Sequence, residues 1–362
     1  MLALLAFAAL LAATPPVPNR APAAPPSRSA SAAPPSLLPT PQFVHFDMAD
    51  GLPSSSINAV AQDRHGFMWF GGSGGLSRYD GVEFHTYKHQ PGKAASLSSN
   101  DITQLVCAGD GRLWISTGDS GLDRLDPATG RFEHWRHDPA NPDSLTSDVV
   151  VALALDHDGS LWVGTRKGLD RVSADGKHVT RVPFLKQVGY VSDNPRDEIV
   201  GALNVDADGT LWIGTWSGLL FKRHPDGRYE RVTVQWPKVS PMNQIWRING
   251  SGKDLRIGTR VGLFLLGADG IARPAYRPDQ VPASYVFDTA RDRRGRLWMA
   301  TLDGVVMDDP ATGIHQFQSQ PLLLGGLPGK WTWRVIRDRE GGLWFAFYDG
   351  GVGYLAPGWE NF

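Results

Sequence analysis

The phrase "DGSLWVGT", beginning at Asp158, returns almost unchanged as "DGTLWIGT" at Asp208, and versions of it recur along most of the chain. Its tryptophan falls at 69, 114, 162, 212, 298 and 344, and "DLRIGT" repeats the phrase with Arg256 in the tryptophan's place. The seven copies are spaced 42 to 50 residues apart. A chain that repeats itself at such a period builds either a ring of sheet blades or an array of helix pairs. No other feature narrows the fold so far.

The grammar inside each copy separates the two. A copy opens with an alternating apolar run such as "INAVAQD", "VVALALD" or "TWRVIRD", followed by an Asp- and Gly-rich turn such as "DRHG" or "DADG". The tryptophan run, a short loop, a run like "GLDRV", a second turn and a last run like "RFEHW" complete it. Short period-2 runs divided by Gly, Asp and Pro are strands of an antiparallel meander, and no stretch holds a helical spacing. Four strands per copy and seven copies predict an all-β, seven-bladed β-propeller. The blades lie near 57–89, 102–137, 149–184, 199–234, 243–276, 284–317 and 331–357. The last of these ends after its third strand, so "QFVHFD" at 42–47 is expected to supply the fourth. That closes the ring and removes a free sheet edge.

The repeated phrase then reads as scaffold. Trp69, Trp114, Trp162, Trp212, Trp298 and Trp344 are expected to anchor blades by filling the wedge between neighbours, where burying so large a ring is worth a few kcal/mol. A glycine two residues later leaves room for the adjacent sheet. The Asp-Gly turns supply backbone angles that other residues resist.

Composition bounds the partners. A net charge of −1 over 362 residues carries no basic excess for nucleic acid. Cys107 is the sole cysteine, so neither an internal disulfide nor a thiolate metal cluster can form, and it is expected to act as a small buried hydrophobe. The apolar run in residues 1–13 is shorter than the ~20 residues that span a bilayer and suits the core of a secretory signal, although it lacks a positive flank. The Pro/Ala/Ser-rich stretch 14–41 reads as an extended linker. No later segment has membrane-spanning length, and the signal-like run is the reason to expect the body in the periplasm or outside the cell.

The opening "FVHFDMADGLPSSSINAVAQDRHGFMWFGGSGGLSRYDG" and the repeat D-x-x-G-x-LW-[VI]-GT-x-x-GL-x-R resemble the two-component regulator propeller family across nearly all of 42–362. The resemblance implies a periplasmic sensor region of a bacterial receptor that usually continues into a small β-sandwich, a membrane helix and a kinase or cyclase output. Family members often carry fourteen repeats; this chain carries seven and none of the later parts before Phe362. The expectation is therefore a ligand-binding sensor without catalysis of its own, acting through an output protein or a missing C-terminal output region. A sensor split from its output, a truncated frame and a free-standing binding protein all fit.

Loops that lead into the inner strands share one face with loops joining second and third strands. On that funnel face the second set supplies Ser73, Asp119, Arg166, Lys167, Trp216, Arg260, Asp303, Tyr348 and Asp349 as candidate ligand contacts. Cations, carboxylates, hydroxyls and two aromatics suit a small polar ligand such as a glycan fragment. No catalytic residue, metal set or cofactor motif stands out. "GGSGG" at Gly71–Gly75 has strands on both sides, not the strand-to-helix turn of a nucleophile elbow, and "DADG" lacks the remaining oxygen ligands of a calcium loop. Two other classes use the same frame: a protein-interaction scaffold, and a metal-dependent lyase of the kind that inactivates antibiotics. The lyase would need a funnel-lining histidine, and none falls in these loops.

Overall fold

In the computed structural model, which describes residues 39–361 apart from 192, 239, 241–242, 278 and 282–284, the repeats are seven four-stranded antiparallel sheets. The apolar segment 1–13 and the 14–41 tract up to residue 38 lie outside the described residues. Six sheets take their strands in sequence order. The seventh is completed by Phe43–Phe46, which pairs with Val352–Leu355 from Phe43↔Leu355 to Phe46↔Val352. This is the seven-bladed propeller, closed by a strand from the N-terminal side.

The tryptophan-bearing strands, for example Met68–Gly72 and Leu161–Thr165, are buried along their whole length. Each is covered on both faces by neighbouring blades, which is why its sequence is a continuous apolar run and not an alternating one. Trp69 packs with Ile102, Leu105 and Ile115 of the next blade. Trp344 packs with Ile57, Val60 and Phe70 of the first blade, sealing the circle. The glycine of the phrase does what the sequence suggests. A Cβ on Gly71 would stand 2.4 Å from Cγ2 of Ile102, and one on Gly164 would stand 2.5 Å from the Val200 carbonyl oxygen.

A second partner of the tryptophan emerges from the turns. The indole Nε1 of Trp69 donates to Asp63 Oδ2 at 2.9 Å, and Trp162, Trp212, Trp298 and Trp344 donate likewise to Asp156, Asp206, Asp292 and Asp338. The aspartate opening each Asp-Gly turn thus satisfies the one polar atom that ring burial would otherwise strand. Two blades differ. In the second, Ala108 replaces the aspartate, and Trp114 lies 5.0 Å from the Trp135 ring and 4.8 Å below Arg124. In the fifth, both partners are replaced together, by Gly250 and Arg256. Nε and Nη1 of Arg256 are buried without a hydrogen-bond partner, and burial holds this guanidinium below its ordinary value.

Irregular pieces are few. One helical turn, Phe184–Gln187, follows the third blade and sets Phe184 against Phe221 at 5.4 Å. After the last strand, Trp359 meets Trp298 edge-on and Glu360 bonds Arg294 at 2.6 Å. Cys107 is half-buried, and burial pushes its thiol up to about 12. Among the described residues no helix is long and apolar enough to cross a membrane.

Candidate functional site: the axial channel

Every inner strand carries the same irregularity. Its pairing with the second strand slips by one residue just after the first position, at Asn58, Thr103, Val151, Gly201, Trp246, Phe287 and Trp333. An extra residue of this kind is unpaired and re-aims its side chain. All seven line one cavity of about 240 Å³, together with Gln104, Trp216 and Arg334. Sevenfold repetition of one bulge therefore builds a ring of side chains in the channel where the inner strands meet.

The ring is lopsided. On the first two blades the polar channel groups are spent on the scaffold, and the third presents only Val151. Asn58 Nδ2 donates to the Ile102 carbonyl at 3.1 Å, Thr103 Oγ1 to the Val150 carbonyl at 2.8 Å, and Gln104 Nε2 to the Val151 carbonyl at 3.1 Å. These bonds stitch neighbouring inner strands that no sheet ladder joins. On the last three blades the ring is aromatic. Phe287 and Trp333 lie 4.4 Å apart, Trp246 and Phe287 5.6 Å, and Trp246 and Trp333 6.0 Å. Trp216 extends this wall to the fourth blade, 6.2 Å from Trp246. The fourth blade makes room for it: a Cβ on Gly201 would stand 2.3 Å from Cδ1 of Trp216. Outward, the wall continues through Tyr348, 6.5 Å from Trp333, to Trp331, 5.3 Å from Tyr348.

One residue further along the inner strands lies a charged group. Arg334 lines the cavity, and burial together with the charge of Arg247 pushes it down to about 9. Arg247 Nε is 3.8 Å from Asp288 Oδ1, and Asp288 also accepts from Asn249 Nδ2 at 2.6 Å.

The loop residues singled out in the sequence fall into three groups. Trp216 and Tyr348 belong to the aromatic wall; Arg166 lies over the Trp216 ring at 5.5 Å, and Arg260 over Tyr285 at 5.4 Å, with Tyr285 5.8 Å from Phe287. Asp303 is held by Lys330 at 3.4 Å, while Lys167 lines a different cavity, of about 390 Å³, with Arg181 and Phe184. Ser73, Asp119 and Asp349 are exposed; Ser73 Oγ meets Ser54 Oγ at 3.4 Å, and Asp119 adds to the burial that raises Asp101. Sequence reasoning missed Trp246, Phe287, Trp333, Arg247, Asp288 and Arg334. Aligning the second and third residues of each inner run would have shown the aromatic and charged bias of the last three blades.

The repeats match a known profile. Residues 51–74, 96–119, 144–167 and 195–217 fit that of the "Two component regulator propeller". Four of the seven repeats thus match the two component regulator propeller model. A 56-residue stretch, 16% of the chain, is 38% identical to histidine kinase P4 of Formosa agariphila and covers 4% of that protein. The fold is similar to the extracellular domain of a hybrid two component system from B. thetaiotaomicron, with a TM-score of 0.74 and 22% identity over 87% of this chain. This chain spans 42% of that domain's length. Virginiamycin B lyase from Staphylococcus aureus shares the fold at a TM-score of 0.62 and 14% identity, covering 88% of this chain and 99% of the lyase.

Proposed function

We propose that this propeller is the sensory part of an extracellular signal-transduction system, taking a small ring-bearing ligand into its axial channel and passing the occupancy to an output module. The observation that carries the reading is the aromatic wall of Trp216, Trp246, Phe287 and Trp333 in a channel whose opposite side is already bonded. Flat rings at a cavity wall are suited to the faces of sugars and other rings, while Arg166, Arg260 and Tyr348 beside the wall offer polar contacts. The family of the repeats, the kinase stretch and the extracellular two-component domains of the same fold support a sensing role outside the cytoplasm. The signal-like residues 1–13 point the same way. The lyase shares only the fold, and no histidine is among the residues lining the channel cavity.

Three tryptophans in the wall provide the readout. Titrating the full chain with a panel of mono- and oligosaccharides should give, for at least one of them, a saturable change in tryptophan emission and a rise in Tm. Trp333→Ala should abolish both while leaving the far-ultraviolet circular dichroism unchanged. A panel that shifts neither signal, or a binder unaffected by Trp333→Ala, would overturn the assignment of the channel.

A further inference from the structure

Among the described residues, buried polar atoms without hydrogen-bond partners gather around the channel, the Thr332 hydroxyl beside Trp333 included. Trp246 Nε1, Trp333 Nε1 and Arg247 Nε are buried donors with no hydrogen-bond partner, and buried donors of this kind call for acceptors. Among the described residues, Arg334, which lines the same cavity, makes a single long bond, to the Trp333 carbonyl at 3.4 Å. The local charge does not balance either. Two guanidinium groups, Arg247 and Arg334, share one carboxylate, Asp288, whose oxygens are already taken by Asn249, by the Thr289 amide and by the Val335 amide. Burial and mutual repulsion both disfavour the charged form of Arg334. An excess cation beside an aromatic wall is held at a cost that a bound anion would relieve.

Resting on the reading of the channel as a ligand site, we propose that its inner end is an anion subsite selecting ligands that carry a carboxylate next to a ring, with Arg334 as the contact and Arg247 behind it. The planar guanidinium suits a carboxylate held by paired N–H bonds, while the ring of the ligand lies on Trp246, Phe287 and Trp333. Sugar acids and aromatic acids share this chemistry.

The test titrates the full chain by calorimetry with two matched pairs, D-glucuronate against D-glucose and benzoate against benzyl alcohol. At least one acid should bind tenfold or more tightly than its neutral partner, and the pair in which this occurs tells a sugar acid from an aromatic acid. Arg334→Met should erase the preference without weakening the neutral partner, and Arg334→Lys should keep most of it. If Arg334→Met does not fold, Arg247→Gln reads the same quantity and should reduce the preference severalfold. Neutral rings binding as well as their acids would overturn the anion subsite and leave the channel reading standing. Equal preference in wild type and Arg334→Met would do the same. Failure of all four probes would overturn the anion subsite, and the saccharide panel then decides the channel reading on its own.

Discussion

Trp69 and Trp114 offer a controlled measurement of what the tryptophan–aspartate pairing contributes. Both rings are fully buried at equivalent positions of adjacent blades. Only Trp69 donates to a carboxylate, at 2.9 Å from Asp63, because Ala108 stands in the other blade. Replacing each by phenylalanine removes about the same ring volume, a loss of roughly 1–2 kcal/mol in a core that cannot collapse fully. Trp69→Phe also removes a bond to a charged group and strands Asp63 Oδ2, adding about 1.5–3 kcal/mol. With a guanidinium slope of roughly 5 kcal/mol/M for a domain of this size, the unfolding midpoints of the two variants should differ by about 0.3–0.6 M. The assay is guanidinium denaturation followed by circular dichroism, with Asp63→Ala and the double variant completing a cycle around Trp69. Equal midpoints for Trp69→Phe and Trp114→Phe, or a cycle without coupling, would show that the aspartates only shape turns.

Three further outcomes are expected. Gly164→Ala should lower stability by about 1–3 kcal/mol, since its Cβ would press on the Val200 carbonyl, whereas Gly109→Ala, with nothing within 4 Å, should stay within roughly 0.5 kcal/mol; thermal unfolding of both decides. Cys107 should react with a thiol reagent at pH 8 many times more slowly than in denaturant, and equal rates would contradict a thiol pushed up to about 12. His134 Nδ1 lies 2.6 Å from the buried Asp123, whose hydrogen bond raises the imidazole above its ordinary value. Its contribution is then full below the unfolded value of about 6.5 and is lost as pH rises through the higher folded value. Midpoints of wild type should therefore fall across that window more than those of His134→Gln, and parallel profiles would refute the link.

Much of the fold was legible because a ring repeats its instructions. The run "LWVGT" meets the same environment in each blade, so its spacing fixed the blade count and the strand "QFVHFD" could be assigned by what the last copy lacked. The indole–aspartate bonds were visible as a six-residue spacing in five copies, but a turn already explained the aspartate and hid its second role. The channel was harder. Its lining comes from a one-residue slip inside strands, and period-2 patterning cannot tell a bulged position from a paired one. Loop chemistry points to Trp216 and Tyr348, which lie beside Trp246 and Trp333, but gives no sign of Trp246, Phe287 and Trp333 themselves. Arg334 was unreadable for a related reason: in "TWRVIRD" it looks like any solvated strand residue until seven strands converge on it.

The pairing of Phe43 with Leu355 has a consequence for assembly. Phe43–Phe46 finds its place only after the last blade exists, so the segment waits through almost the entire length of the domain. Closing so wide a loop brings no reward until the intervening six blades have taken shape. A defect in any one of them leaves Phe43–Phe46 without a neighbour and Val352–Leu355 with an open edge, so local damage is felt at the seam. A circular permutant opened at an Asp-Gly turn would move that seam elsewhere and turn a union of distant segments into an ordinary hairpin.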